Sequence, residues 1–267
     1  MQAQANASCF DLSGRVAVVT GASRGLGRAA CISLAKYGAD VVCAGRDRRA
    51  LDETAQLVTE RGHKALVVEA DVTKPATIQR MADETVREFG RIDILVANAG
   101  IAPPWMRIDE ESIDQWDTTI ATNLTGPFLS MKAVLPTMIG QTSGSIVVVS
   151  SIGALGGGHV SPASYGASKS GLIGLVKHAA VQYGEFGIRV NCILPGMHIT
   201  DLGMPKDEPG RAERLRFLDE MALATTPLGR VAQADEIEGL VILLASDASR
   251  FITGATFVQD GGHTARI

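Results

Sequence analysis

The residues best suited to chemistry are Tyr165 and Lys169, which are four positions apart in the sequence. A helix is predicted here, with Ser161 as its N-cap and Pro162 at its first position. Residues at i and i+4 of a helix share one face, with their Cβ atoms about 5–6 Å apart. A phenol held beside an ammonium group is a candidate for giving and taking a proton.

The lysine could make the phenol a useful acid near neutral pH. A free tyrosine has a pKa of about 10, and lowering it to about 7 requires on the order of 4 kcal/mol of stabilisation of the phenolate. A cation about 4 Å away at an effective dielectric of about 20 supplies that much. We therefore expect Lys169 to lower the pKa of Tyr165.

Two serines precede this helix, separated from it by a glycine-rich loop. The apolar strand Ile146 to Val149 leads directly into Ser150 and Ser151. Successive side chains of a strand point to opposite faces, so only one of the two serines can face a site near Tyr165. Ser151 is the candidate, with Ser150 as the alternative.

A second glycine-rich segment, T-G-A-S-R-G-L-G, follows the strand Val16 to Thr20 and precedes a helix. Gly21, Gly25 and Gly27 let a backbone approach a pyrophosphate closely, and a helix N-terminus offers free N–H donors to such an anion. The spacing is G-x-x-x-G-x-G, which differs from the common G-x-G-x-x-G fingerprint. The segment predicts a phosphate-binding loop.

The same letters also read as G-x-S-x-G, the nucleophile elbow of an α/β-hydrolase. In that interpretation Ser23 is the nucleophile and His198 or His263 is the base. The elbow would then follow the first strand, and Arg24 would have no role. A hydrolase is thus the weaker alternative.

The elements that must position these residues alternate along the chain. Short apolar runs predict seven strands, at residues 16–20, 41–44, 65–69, 92–97, 146–149, 188–194 and 255–258. Amphipathic stretches predict the helices between and after them, at residues 28–37, 47–61, 74–89, 113–139, 162–187, 212–222 and 233–245. This alternation predicts an α/β fold with a doubly wound parallel seven-stranded sheet and helices on both faces. Residues 12–267 are expected to form one domain after a flexible tail, 1–11.

Composition excludes several classes of function. The chain of 267 residues has a net charge of −4, a pI of about 5.8, and no basic patch of the kind that nucleic acid binding needs. No apolar run approaches the length of a membrane span. The four cysteines and five histidines show no metal-ligand spacing, so no metal is expected. Scattered cysteines without a C-x-x-C motif favour a reducing, cytoplasmic location.

Cations near the end of the second predicted strand bear on the choice of cofactor. An acidic residue at this place holds the ribose 2′-hydroxyl of NAD, whereas an arginine accommodates the 2′-phosphate of NADP. Arg46 follows Gly45 there, and Arg24 lies in the glycine loop. Asp47 is the expected N-cap of the next helix. NADP(H) is therefore preferred and NAD(H) remains possible.

These motifs together resemble the short-chain dehydrogenase/reductase family, 3-oxoacyl-ACP reductases among them, from about Leu12 to Gly262. The glycine motif, A-N-A-G at residues 97–100, T-N-L-T-G around Asn123, and Y-x-x-x-K carry the resemblance. It implies a Rossmann fold and a catalytic set of Asn123, Ser151, Tyr165 and Lys169. The implied cofactor-binding residues are Gly21, Ser23, Arg24, Gly25, Leu26, Gly27, Arg46, Asp71, Val72, Asn98, Ala99, Gly100, Tyr165, Lys169, Pro195, Gly196 and Thr200.

The resemblance also implies the reaction. Hydride moves between NADP(H) and a secondary alcohol or ketone, such as a 3-oxoacyl thioester or a cyclic or sugar-derived ketone. Tyr165 acts as acid or base, Ser151 binds the substrate oxygen, and Asn123 holds a water that links Lys169 to solvent. Residues 197–226 resemble a substrate lid, and a homotetramer is expected. A sensor that binds NADPH without turnover is the alternative on the same fold.

Overall fold

The chain is organised around one seven-stranded parallel sheet, in a computed structural model that describes residues 8–156, 161–200 and 210–266. The strand order is β3-β2-β1-β4-β5-β6-β9. The strands of this sheet are β1 (Val16–Thr20), β2 (Asp40–Gly45), β3 (Ala65–Glu69), β4 (Ile94–Ala97), β5 (Gly144–Val149), β6 (Ile188–Pro195) and β9 (Thr256–Gln259). The α/β, doubly wound sheet expected from the alternating pattern is confirmed.

Helices cover both faces of the sheet, and a two-stranded sheet lies beside it. The short pair consists of β7 (His198–Ile199) and β8 (Ala232–Gln233). The helices are α1 (Gly25–Lys36), α2 (Arg48–Thr59), α3 (Pro75–Phe89), α4 (Ile113–Ile120), α5 (Gly126–Gln141), α6 (Ala163–Tyr183), α7 (Arg211–Thr225) and α8 (Glu238–Ala245). Within the described residues, no helix is long and apolar enough to cross a bilayer.

The core consists of two apolar clusters, one on each face of the sheet. Along β1, Val16 and Val18 belong to one cluster, whereas Ala17 and Val19 belong to the other. All four are almost fully buried. A strand that is covered on both faces must be apolar at every position, which explains why these strands are continuous apolar runs.

The order of the strands reverses between β1 and β4. From β1, the chain proceeds through β2 to β3 on one side, and then returns to add β4 on the other. The connections that leave the carboxyl ends of β1 and β4 therefore run to opposite faces of the sheet and leave a crevice between them, where ligands bind in sheets of this kind.

Two local predictions differ from the structure. The predicted helix 113–139 is interrupted by a π-helical turn, Ala121–Thr125, between α4 and α5. The predicted N-cap Ser161 is wrong, because Pro162 occupies that position and α6 begins at Ala163. A proline ring cannot accept a hydrogen bond, so α6 has no cap from its own N-cap side chain.

The ends of the predicted tail and lid lie outside the described residues, at 1–7 and 201–209. Of the predicted tail, Cys9 is described, and its carbonyl accepts a hydrogen bond from the Ala248 amide at 3.0 Å. Helix α7 forms most of the described part of the predicted lid. His159, in the loop before α6, is also outside the described residues.

Candidate active site

A cleft of about 490 Å³ opens at the carboxyl ends of the strands, over the reversal between β1 and β4. It brings together nearly all the residues that the sequence singles out. Those that line it are Gly21, Ser23, Arg24, Gly25, Leu26, Arg46, Asp71, Val72, Asn98, Ala99, Gly100, Ser151, Tyr165, Lys169, Pro195, Gly196 and Thr200. Gly27 and Asn123 are buried and do not line the cleft. Residues that the sequence did not single out as site residues also line the cleft, among them Ile101, Thr122 and Met197.

The glycine-rich loop packs too closely for side chains at two positions. A Cβ on Gly21, whose φ is +67°, would lie 2.8 Å from the Ala99 Cα. A Cβ on Gly27 would collide with the Gly21 carbonyl oxygen and the Asn98 amide nitrogen. Gly27 is thus required to pack the start of α1 against the loop, although it does not face the cleft.

The N-terminus of α1 points its free amides at the cleft. Its N-cap residue, Arg24, makes no side-chain capping bond, and the first turn contains no acidic residue. Unpaired amides and the positive end of the helix dipole favour an anion at this place. This open end, above a backbone that approaches closely, fits the pyrophosphate of a dinucleotide.

Asn98 ties the ends of β1 and β4 together. Its side-chain amide donates to the Thr20 carbonyl at 3.0 Å. The Thr20 hydroxyl accepts from the backbone amides of Asn98, at 3.1 Å, and Ala99, at 3.2 Å. The floor of the crevice is therefore held by hydrogen bonds and by packing.

Two exposed arginines, Arg24 and Arg46, line the outer end of the cleft. Asp47 caps α2, as expected, by accepting from the Ala50 amide at 3.1 Å. Burial disfavours the charged form of Asp71, but hydrogen bonds from Thr73 and the nearby Arg46 outweigh it and hold the pKa of Asp71 below its ordinary value. This end therefore presents two guanidinium groups beside two carboxyl groups, Asp47 and Asp71.

Tyr165 lies in the first turn of α6 and lines the cleft. Burial raises the pKa of its phenol above the ordinary value, and a hydrogen bond with the Ser151 hydroxyl offsets part of that rise. Lys169 is not among the groups that shift this pKa, so the expectation that it lowers the pKa of Tyr165 stays a prediction. Removal of the phenol from water is the larger effect here.

Lys169 lies one turn after Tyr165 in α6 and also lines the cleft. Its ammonium lies 5.8 Å from the centre of the Tyr165 ring and donates to the Val149 carbonyl at 3.0 Å. Burial lowers the pKa of Lys169 to about 8. The lysine is therefore near Tyr165 but is bonded to the sheet, and it is only partly charged near pH 8.

The two serines have different partners. The Ser150 side chain is buried and donates to the Lys169 backbone carbonyl at 2.8 Å. The Ser151 hydroxyl accepts from the Gly153 amide at 3.1 Å, and a Cβ on Gly153 would lie 3.5 Å from the Ser151 Oγ and 3.3 Å from the Tyr165 ring. Ser151 is thus the serine placed beside the phenol, whereas Ser150 is committed to the backbone.

Asn123 is fully buried in the π-helical turn and does not line the cleft. Its side chain donates to the Ile101 carbonyl at 2.9 Å and accepts from the Ile101 amide at 2.8 Å. The amide therefore fixes the backbone of the loop after β4. The expectation that Asn123 holds a water beside Lys169 stays a prediction.

The far end of the cleft is formed by the turn after β6. Pro195, Gly196 and Thr200 line it, and a Cβ on Gly196 would lie 2.7 Å from the Asp260 Cα. His198 also lies here, with Nδ1 3.1 Å from the Gly196 carbonyl, and burial lowers its pKa below the ordinary value. The ring is therefore neutral at pH 7.

Comparisons with known proteins agree with this geometry. Residues 21–264 match the family described as enoyl-(acyl carrier protein) reductase. The cis-4-hydroxycyclohexanecarboxylate dehydrogenase of Sinomonas cyclohexanicum is 41% identical over 94% of this chain and 97% of its own. The L-rhamnose 1-dehydrogenase (NAD(P)(+)) of Sphingomonas sp. (strain SKA58) is 37% identical, covering 94% and 96%.

A solved structure gives the same fold. Carveol dehydrogenase from Mycobacterium avium, in complex with NAD, superposes with a TM-score of 0.88 at 30% identity, covering 95% of this chain and 99% of that one. The relatives of this chain named above are dehydrogenases, and this removes the hydrolase alternative built on Ser23. This chain belongs to the short-chain dehydrogenase/reductase family and is an oxidoreductase of the alcohol dehydrogenase type.

Proposed function

We propose that the protein transfers hydride between NADP(H) and a secondary alcohol or its ketone, with Ser151, Tyr165 and Lys169 as catalytic residues. The observation that carries this proposal is that Ser151 and Tyr165 lie side by side at the inner end of a cleft whose other wall is the open N-terminus of α1. A bound nicotinamide supplies the hydride chemistry. The protein must bind it and move one proton.

Tyr165 takes the alcohol proton during oxidation and returns it during reduction. Ser151 donates a hydrogen bond to the substrate oxygen, where negative charge develops. Because burial raises the pKa of the phenol, phenolate must be stabilised when ligands are present. Lys169, 5.8 Å from the ring, is the nearby cation that can do so once the ribose of the cofactor lies beside it.

Asn123 has a supporting role in this proposal. Its side chain is used to hold Ile101, next to Gly100 in the wall of the cleft. We propose that Asn123 also holds a water between Lys169 and solvent, since its amide oxygen keeps a second lone pair beside the bond from the Ile101 amide.

The preference for NADP(H) is supported by Arg24 and Arg46 at the outer end of the cleft. We expect Arg46→Ala to weaken NADPH binding about tenfold and to leave NADH binding nearly unchanged, since one charge-assisted phosphate contact is worth about 1.4 kcal/mol or more. Arg49→Ala, on the exposed face of α2, is the matched control. A wild-type kcat/KM that favours NADH tenfold would overturn the preference.

The substrate class is tested with a panel of alcohols. cis-4-Hydroxycyclohexanecarboxylate, L-rhamnose and simple cyclic secondary alcohols are supplied with NADP or NAD, and the reduced nicotinamide is followed by its absorbance. Turnover of at least one secondary alcohol supports the proposal. Tight NADPH binding without turnover of any alcohol or ketone would instead favour the sensor alternative.

We also propose a homotetramer. Large apolar side chains are exposed on α5 and α6, where Phe128 is 46% and Val181 85% exposed, and on the edge strand β9, where Val258 is 43% exposed. Two such faces, on different sides of the molecule, suit two separate two-fold contacts. Light scattering on a sizing column should give four times the 28.0 kDa chain mass, and a monomer would contradict it.

A further inference from the structure

Helix α6 carries Tyr165 in its first turn, yet its own sequence does not cap it. Pro162 occupies the N-cap position and makes no side-chain capping bond, and no acidic residue lies in the first turn. The first amides of a helix have no partner within the helix. For a helix whose first turn holds a reactive side chain, an uncapped end would leave that turn free to fray.

The missing acceptor comes from a distant part of the chain. Glu111 lies just before α4, 53 residues before Ser164. Its carboxylate accepts two hydrogen bonds from Ser164. One comes from the Ser164 hydroxyl, and the other comes from the Ser164 backbone amide at 3.3 Å. Ser164 is fully buried and immediately precedes Tyr165.

Tyr165 is also held from its other side. The Ser168 hydroxyl donates to the Tyr165 carbonyl at 2.7 Å and accepts from the Asn123 amide at 3.4 Å. The Asn123 side chain is in turn bonded to Ile101. Both anchors of the first turn therefore lead back to one segment, residues 101–111, which begins in the wall of the cleft.

We propose that Glu111 is a positioning residue for the reaction, which caps α6 in place of a local side chain and so holds the Tyr165 phenol against Ser151. This inference rests on the proposed function, because it assigns Tyr165 the proton-transfer step. The carboxylate suits the place, since negative charge is favoured at the N-terminus of a helix.

The effect should appear in turnover and not in cofactor binding. Glu111 contacts Ser164 and is not among the residues that line the cleft. We expect Glu111→Ala to lower kcat by about tenfold or more, because small displacements of a reacting group cost that much. The Kd of NADPH should stay unchanged.

The test compares Glu111→Ala, Glu111→Gln, Ser164→Ala and the double variant Glu111→Ala/Ser164→Ala. The alcohol is the panel member that wild type oxidises fastest, and the Tm of every variant is recorded. Glu111→Gln keeps an acceptor oxygen and should recover most of kcat. The double variant should lose little more than Glu111→Ala alone, because Glu111→Ala removes both bonds to Ser164 and Ser164→Ala removes only the hydroxyl bond. Asp114→Asn, exposed one turn away, is the matched charge control.

A wild-type kcat in Glu111→Ala would overturn the proposal. An equal loss of kcat in Glu111→Gln and Glu111→Ala, or additive losses in the double variant, would also overturn it. Should Glu111→Ala fail to fold, Ser164→Ala and Glu111→Gln give the same decision. Tyr165→Phe is assayed in parallel: if it retains turnover, the proposed function fails, whereas an inactive Tyr165→Phe beside a fully active Glu111→Ala rejects only the role of Glu111.

Discussion

Two helix N-termini border the cleft, and they differ in whether an acceptor caps their free amides. The N-terminus of α1 has neither a capping side chain nor an acidic residue in its first turn. The N-terminus of α6 also lacks a local cap, but Glu111 fills it from elsewhere in the chain. Both ends carry the same partial positive charge.

The difference separates binding from chemistry. An open end attracts an anion from solution, so α1 is available to a phosphate group. A filled end attracts none and is fixed to its partner, so α6 can present Tyr165 in one position. One cleft thus contains a helix that receives a ligand and a helix that holds a reactive group.

The largest effect should come from removing the group that α6 presents. Tyr165→Phe leaves α1 untouched and removes only the phenol oxygen. We expect kcat to fall by 10²–10⁴-fold, roughly the contribution of a general acid or base, while NADPH binding, measured by its fluorescence, is retained. Tyr183→Phe, at the other end of α6, serves as the control.

A second variant distinguishes the two serines. Ser151→Ala removes the hydroxyl bonded to Tyr165, and we expect a loss of about 10²-fold in kcat, as for other single donors to a developing oxyanion. Ser150→Ala breaks the bond to the Lys169 carbonyl and should instead cost about 1 kcal/mol of folding stability. A larger fall of kcat in Ser150→Ala than in Ser151→Ala would reverse the assignment.

A third variant displaces the glycine-rich loop beside the open N-terminus of α1. In Gly27→Ala the new methyl group meets the Gly21 carbonyl and the Asn98 amide, so the loop must shift. Strain of about 1–3 kcal/mol should weaken NADPH binding roughly tenfold to a hundredfold. Gly140→Ala in α5, where a Cβ meets nothing within 4 Å, is the control. Unchanged Kd values would show that the close packing of the loop is unimportant.

A fourth effect is measured as a free energy of unfolding. Because burial lowers the pKa of Lys169 from 10.5 to about 8 in the folded protein, the unfolded chain binds more protons between these values. Stability from this group is therefore reduced by on the order of 3 kcal/mol below about pH 8, and the loss is recovered as the pH rises toward 10.5.

Urea unfolding of the cofactor-free protein measures that effect. Lys169→Met should be inactive and more stable than wild type at pH 7, and its advantage should shrink between pH 8 and 10.5. A stability difference that does not change with pH would contradict the assigned cause.

The elements of the sheet could be predicted from the sequence because a strand buried on both faces leaves a continuous apolar run. The predicted bounds of Val16–Thr20 and Ala65–Glu69 are confirmed, and those of the other strands of the large sheet differ by one or two residues. The π-helical turn at Ala121–Thr125 was missed, since one extra residue in a turn barely changes the apolar period. Most of the residues that line the cleft follow strand ends, where local spacing is informative.

Features that depend on tertiary contacts could not be predicted. The spacing of Tyr165 and Lys169 shows that the two are neighbours, but it does not show how far burial removes the phenol from water. Glu111 carries no local signal, because its partner Ser164 is 53 residues away. Because Ser161 is the predicted N-cap of α6, no signal in the sequence indicates that an acceptor must come from elsewhere.

The most direct test of the account is the titration of Tyr165 with and without NADP. The chain has only three tyrosines, so ultraviolet difference spectra of wild type against Tyr165→Phe isolate this phenol. Without ligand its pKa should lie above 10, and with NADP bound it should fall toward neutrality as Lys169 and the cofactor stabilise the phenolate. The same pKa in both states would contradict the account.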